Sequence, residues 1–164
     1  MILVLKPEDI NQYNFFFSNK IPNNLYENSS FIKIKYSNNL FVLNIIYLEI
    51  PLQITKSSSS YNKTKYYFDP LKHSEIILKL CNIENKILDT YVVGKKLMKI
   101  YKLFNQLNSG YLKFFDDTNK NNTTNKNNTT NKNNNIIHFI LKISGIWQTN
   151  NAIGLTYKFL IRDK

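Results

Sequence analysis

The stretch Ile136-Ile137-His138-Phe139-Ile140-Leu141-Lys142-Ile143-Ser144-Gly145-Ile146-Trp147 decides the fold class. Alternation places Ile137, Phe139, Leu141, Ile143, Gly145 and Trp147 on one face. A period of two is that of a half-buried strand. Residues 148–153 read as a turn, and Gly154 to Ile161 alternates again. There Leu155, Tyr157, Phe159 and Ile161 lie on one side, with Thr156, Lys158 and Arg162 on the other. Two such runs joined by a short polar turn make an antiparallel hairpin.

Upstream of this hairpin, the unit Asn-Lys-Asn-Asn-Thr-Thr starts at Asn119, repeats from Asn125 and begins again at Asn131. It has no apolar residue and cannot join a core. Residues 118–135 are therefore expected to be a disordered insertion in a hairpin loop, within one domain spanning residues 1–164. Tyr111 to Phe115 reads as a short strand before it. Two helices precede that strand. Ile76, Leu80, Ile83, Ile87 and Tyr91 have helical spacing, with Lys79, Asn82, Lys86 and Asp89 opposite. Asp69-Pro70 opens this helix and Gly94 stops it. The second is expected from Lys95 to Leu107, with Leu97, Ile100, Phe104 and Leu107 inward and Lys95, Lys99 and Lys102 sharing an outer face.

Nearer the start, residues 8–20 read as a short helix or an irregular packing arm. Phe31 to Tyr36 alternates, Ile32, Ile34 and Tyr36 against Phe31, Lys33 and Lys35. A turn at Ser37-Asn38-Asn39 joins it to a long apolar strand, Leu40 to Leu52, giving a hairpin. Lys56 to Tyr61, with four serines, reads as a loop. Lys63 to Phe68 is a third strand, with Tyr66 and Phe68 opposite Lys65 and Tyr67. The order is β-β-β-α-α-β-β-β: a mostly β chain with helices. A helix between the third and fourth strands is the connectivity of an OB-like barrel. Extra strands or a non-barrel α+β sheet are the alternatives.

The chain holds 22 Lys+Arg against 11 Asp+Glu, a net charge of +11. Such a field attracts polyanions, nucleic acid first. All the basic residues but Arg162 are Lys, and Lys, Asn, Ile, Tyr and Phe are residues of AT-rich codons. The charge therefore reads either as function or as genome bias. The only cysteine is Cys81, so no disulfide forms within the chain and an intracellular, reducing compartment is expected. No apolar run approaches a membrane span.

Catalysis finds little support. His73 and His138 are isolated, no Cys or His pair has metal-ligand spacing, and the four glycines form no phosphate loop. The pair Asp116-Asp117 borders the repeat. No enzyme activity, metal or cofactor is expected. Sequence-independent binding of single strands needs only a basic groove and aromatic faces. The strands interleave these: Lys33 and Lys35 near Phe31, Lys63 and Lys65 before Tyr67, Lys142 before Trp147, and Tyr157 beside Lys158. These nine residues, Lys33, Lys35, Lys63, Lys65, Tyr67, Lys142, Trp147, Tyr157 and Lys158, form the candidate site. Trp147 and Tyr157 also continue apolar faces, so a core role stands beside the binding role.

The stretch Leu141-Lys142-Ile143-Ser144-Gly145-Ile146-Trp147 followed by Gly154-Leu155-Thr156-Tyr157-Lys158-Phe159 resembles the closing hairpin of OB-fold single-stranded DNA-binding proteins of large nucleocytoplasmic DNA viruses. The resemblance implies a sequence-independent single-stranded DNA-binding protein of viral replication or repair, in the host cytoplasm or nucleus. Its partners would be single-stranded DNA ahead of RNA, with replication proteins or further copies of the chain besides, and no membrane. Some such proteins end in an acidic tail, whereas this sequence ends Ile161-Arg162-Asp163-Lys164. The rival reading is a virion, scaffold or other interaction protein whose charge reflects codon bias.

Overall fold

A computed structural model describes residues 2–11, 13–23, 28–61, 63–115 and 136–162. The insertion expected at 118–135 lies outside the described residues. A single 3-10 turn, Pro7–Asp9, is followed by six strands: β1 (Phe15–Phe17), β2 (Ile21–Pro22), β3 (Ser30–Ser37), β4 (Val42–Leu43), β5 (Ile46–Ser60) and β6 (Lys63–Phe68). Then come α1 (Ser74–Val92), β7 (Met98–Ile100), α2 (Lys102–Asn108), β8 (Tyr111–Phe115), β9 (Ile136–Gln148) and β10 (Ala152–Ile161). Among the described residues the chain is mostly β with two helices, and the ten strands belong to one sheet.

The stretch that opened the sequence reading is the axis of this sheet. β10 runs antiparallel along one edge of β9. The other edge is shared end to end: β5 pairs with residues 136–143 and β3 with residues 145–148. The changeover falls at a β-bulge. Thr156 lies opposite Gly145 and Tyr157 opposite Ile143, so Ser144 is the extra residue, and its hydroxyl donates to Thr156 O (3.1 Å). An extra residue shifts the alternation by one. Phe139, Leu141 and Ile143 are buried before the bulge, and Ile146 after it. Trp147 therefore leaves the apolar face on which strict alternation placed it and stands half-buried on the opposite face.

Gly145 permits this junction. A Cβ on it would lie 2.2 Å from the backbone oxygen of Ile32 and 2.7 Å from the Phe31 ring. Gly154 takes the same part on β10, where a Cβ would lie 2.6 Å from the Trp147 indole. Each glycine seats a neighbouring aromatic ring on the outer face of the sheet.

The core lies between the other face and the helices. Ile32, Ile34 and Tyr36 of β3, Ile46, Leu48, Ile50 and Leu52 of β5, and Phe139, Leu141, Ile143 and Ile146 of β9 pack there with Leu80, Ile83 and Ile87 of α1 and Leu103 and Leu107 of α2. Tyr66 meets Phe114 and Phe139 edge-on, carrying the core under β6 and β8. Glu84 of α1 is fully buried, and its carboxylate accepts the N–H groups of Leu103 (3.1 Å) and Phe104 (3.0 Å). It caps α2 from a neighbouring helix and so satisfies donors that a helix leaves unpaired.

Several expectations are corrected. The barrel is not closed: β8 and β10 do not pair, and α2 packs against both. The Lys95–Leu107 helix is interrupted by β7, which pairs in parallel with β10. Gly94, at φ +75°, ends α1, and α2 begins only at Lys102. Lys95, Lys99 and Lys102 consequently share no helix face. Lys95 sits over the Tyr91 ring (3.5 Å), Lys99 pairs with Asp89, and Lys102 lies over Trp147 (4.9 Å). The serine run is strand, not loop, because residues 57–60 pair with residues 66–63 of β6. Residues 40–52 do not form one strand paired with β3, which meets only Val42 and Leu43 of this region. Asp69 caps a turn at Leu71 (3.0 Å), and α1 starts at Ser74. Residues 8–20 contain β1 besides the short 3-10 turn.

Candidate nucleic-acid interface

Strand alternation raises every second side chain from the sheet on the side away from the helices. On β3 these are Phe31, Lys33 and Lys35, and on β5 Tyr47 and Glu49. Registry then aligns them in rows across strands. Phe31 stands opposite Trp147, which stands opposite Gly154. One row on, Lys33 is opposite Gly145. Beyond the bulge, Tyr47 is opposite Lys142 and Lys142 opposite Lys158. The Lys142 ammonium lies 6.0 Å from the Tyr47 ring centre. Phe16 of β1, 54% exposed, faces out opposite Lys35.

The same face continues onto the ribbon of β5, β6 and β8. Lys56, Tyr67 and Tyr111 form one row, and Ser58, Lys65 and Lys113 the next. Lys65 lies over the Tyr111 ring (5.0 Å), and the Tyr67 and Tyr111 rings are 6.0 Å apart. Lys63 follows one row further.

Eight of the nine sequence candidates therefore share the outer face in two groups. Lys33, Lys35, Lys142, Trp147 and Lys158 surround the β9 bulge, and Lys63, Lys65 and Tyr67 lie on the β6 ribbon. Tyr157 does not join them. It is opposite Ile143, turns to the core side and donates its hydroxyl to Gln106 Oε1 (2.8 Å). Burial, and then the nearby Glu84 charge, push its phenol well above the usual tyrosine range. Sequence reasoning omitted Phe31, Tyr47, Tyr111, Lys56, Lys113 and Lys102 from the site. Alternation pointed to Phe31. The others needed registry, or in Lys102's case the path of the chain around the β10 edge.

Charge is segregated between the two sides. The outer face carries Lys33, Lys35, Lys56, Lys63, Lys65, Lys113, Lys142 and Lys158. The acid on it among the described residues is Glu49, which is already paired with Arg162 and with His138 (2.9 Å). Burial favours the neutral form of Glu49, but hydrogen bonds from His138 and Arg162 outweigh it and hold the carboxyl below its ordinary value. Around the helices, Lys72, Lys79, Lys86, Lys95, Lys96 and Lys99 stand among Asp69, Glu75, Glu84 and Asp89, with Lys79–Glu75 (2.8 Å) and Lys99–Asp89 in direct contact.

The residues with catalytic potential have other employment. Cys81 is half-buried, and burial followed by the Glu84 charge push its thiol up to about 11, so it stays protonated at neutral pH. His73 Nε2 accepts the Gln53 N–H (3.0 Å). Among the described residues, no group of three or more His, Cys, Asp or Glu side chains could hold a metal ion. No described helix is long and apolar enough to cross a membrane. The chain matches no known family model, no curated protein and no solved structure.

Proposed function

We propose that this chain binds single-stranded DNA without sequence preference across the outer face of its sheet, and serves viral DNA replication or repair. The observation that carries the reading is the charge segregation. Lysine stands on both sides, but among the described residues the eight on the outer face meet one neutralised carboxylate, whereas the six around the helices stand among four acidic residues. Phosphates need that field, and bases need flat rings between the cations. Phe31, Tyr47, Tyr67, Tyr111 and Trp147 supply rings in the same rows as the lysines. The viral setting follows from the resemblance of the closing hairpin. The same proposal takes the sheet as an OB-like arrangement left open between β8 and β10.

The chain's one tryptophan makes the test direct, because Trp147 lies on the proposed surface. Oligo-dT should quench its emission and bind more tightly than duplex of equal length. Trp147→Phe should retain most of the affinity, and Trp147→Ala should weaken binding by the ~1–3 kcal/mol of one stacked ring. Equal affinity for duplex and single strand, or saturable binding that leaves Trp147 emission untouched, would contradict the reading.

A further inference from the structure

The exchange of partners along β9 leaves a trough across β3. β9 pairs with β3 only as far as Lys33, and β4 takes up β3 again at Tyr36. Between these points lies a cleft of about 370 Å³ lined by Ser18, Lys33, Ile34, Lys35 and Asn44. The Ile34 side chain is wholly buried on the core face, so the strand backbone forms the floor. Lys33 and Lys35 rise on either side of it, about 7 Å apart along the strand. Ser18 closes one end, its hydroxyl accepting the Lys33 N–H (3.1 Å) and donating to Asn19 O (3.1 Å). Asn44 also lines the cleft.

The donors here are unspent. Among the described residues, the Lys33 and Lys35 ammonium groups and the Asn44 amide make no hydrogen bond or ion pair. Two cations and an amide converging on one small cleft match the chemistry of a single phosphate. We infer that this trough seats one phosphate group of the bound strand, shared between Lys33 and Lys35 and oriented by Asn44. The inference rests on the strand-binding reading above and adds to it a fixed point for the backbone.

Sharing has a measurable signature. Each phosphate neutralised on a single strand contributes a slope of about −0.7 to the dependence of log affinity on log salt. If both lysines serve one phosphate, Lys33→Gln and Lys35→Gln each leave the oligo-dT slope nearly unchanged, and the double variant reduces it by about 0.7. Asn44→Ala should weaken binding several-fold with the slope intact. All three residues are exposed, and thermal melting of each variant checks that the fold is retained. Additive losses of about 0.7 for each lysine would place them on separate phosphates and overturn the shared seat. So would an unchanged slope in the double variant that still binds oligo-dT, which leaves the strand reading standing. A second arm titrates inorganic phosphate alone and follows the Asn44 side-chain amide by NMR. If the amide shifts but no oligonucleotide binds, the trough takes free phosphate and the strand reading fails. If neither ligand acts, both fail.

Discussion

Replacing Gly145 by Ala tests the junction on which the outer face depends. The new Cβ would sit 2.2 Å from Ile32 O and 2.7 Å from the Phe31 ring. Nonbonded heavy atoms rest at roughly 3.5 Å, so β3 must retreat from β9 by about 1 Å. That distance takes a ladder hydrogen bond beyond its useful length. Losing one or two at about 1 kcal/mol each, with overpacking of about 1–3 kcal/mol, gives roughly 2–5 kcal/mol. A domain of this size loses about 2–4 °C of Tm per kcal/mol, so the expected fall is about 4–20 °C. Gly154→Ala should be milder, because only the Trp147 side chain is in the way; overpacking alone gives about 1–3 kcal/mol. The assay is thermal denaturation followed by circular dichroism and by Trp147 emission, which Gly154→Ala should shift even in the folded state. A Gly145→Ala protein melting within 2 °C of wild type would refute the close approach of β3 to β9.

Burial pushes the Glu84 carboxyl above its ordinary value, with the Phe104 and Leu103 N–H groups opposing in part. The folded state thus holds this proton more tightly, and stability should fall as pH rises from the ordinary glutamate value through the raised one. Glu84→Gln should flatten that decline in urea unfolding between pH 4 and 7, and a decline of unchanged steepness would discount Glu84 as its source. Tyr157→Phe removes the hydrogen bond to Gln106 and should cost about 0.5–1.5 kcal/mol of stability. Its oligo-dT affinity should match wild type, since the ring faces the core side; a tenfold loss would place the strand there instead.

The strands β3, β6, β9 and β10 were legible because alternation runs through most of each, and Gly94 stops α1 where expected. What failed was non-local. One bulge at Ser144 moved Trp147 to the other face, and alternation cannot see an inserted residue. β7 looked like helix because Met98, Lys99 and Ile100 fit either period, and pairing with β10 decided it. The serine run lacks an apolar signal because β6 holds its backbone in the sheet. Tyr157 was misplaced because sequence neighbours on a strand point to opposite faces: Lys158 faces out, so Tyr157 faces in. The candidate lysines lie on one face because alternation sets their side within each strand and registry aligns the strands.

The most direct test compares two variants of equal charge. One carries Lys33→Gln, Lys142→Gln and Lys158→Gln on the outer face, and the other Lys72→Gln, Lys86→Gln and Lys96→Gln around the helices. Oligo-dT affinity is measured for both across salt concentration. The outer-face variant should lose up to about 1.4 of slope, the two phosphates of Lys142 and Lys158, since Lys35 keeps the phosphate it shares with Lys33, while the helix-side variant keeps the wild-type slope. Equal losses in the two variants would mean that net charge alone attracts the strand and that the outer face is no binding site.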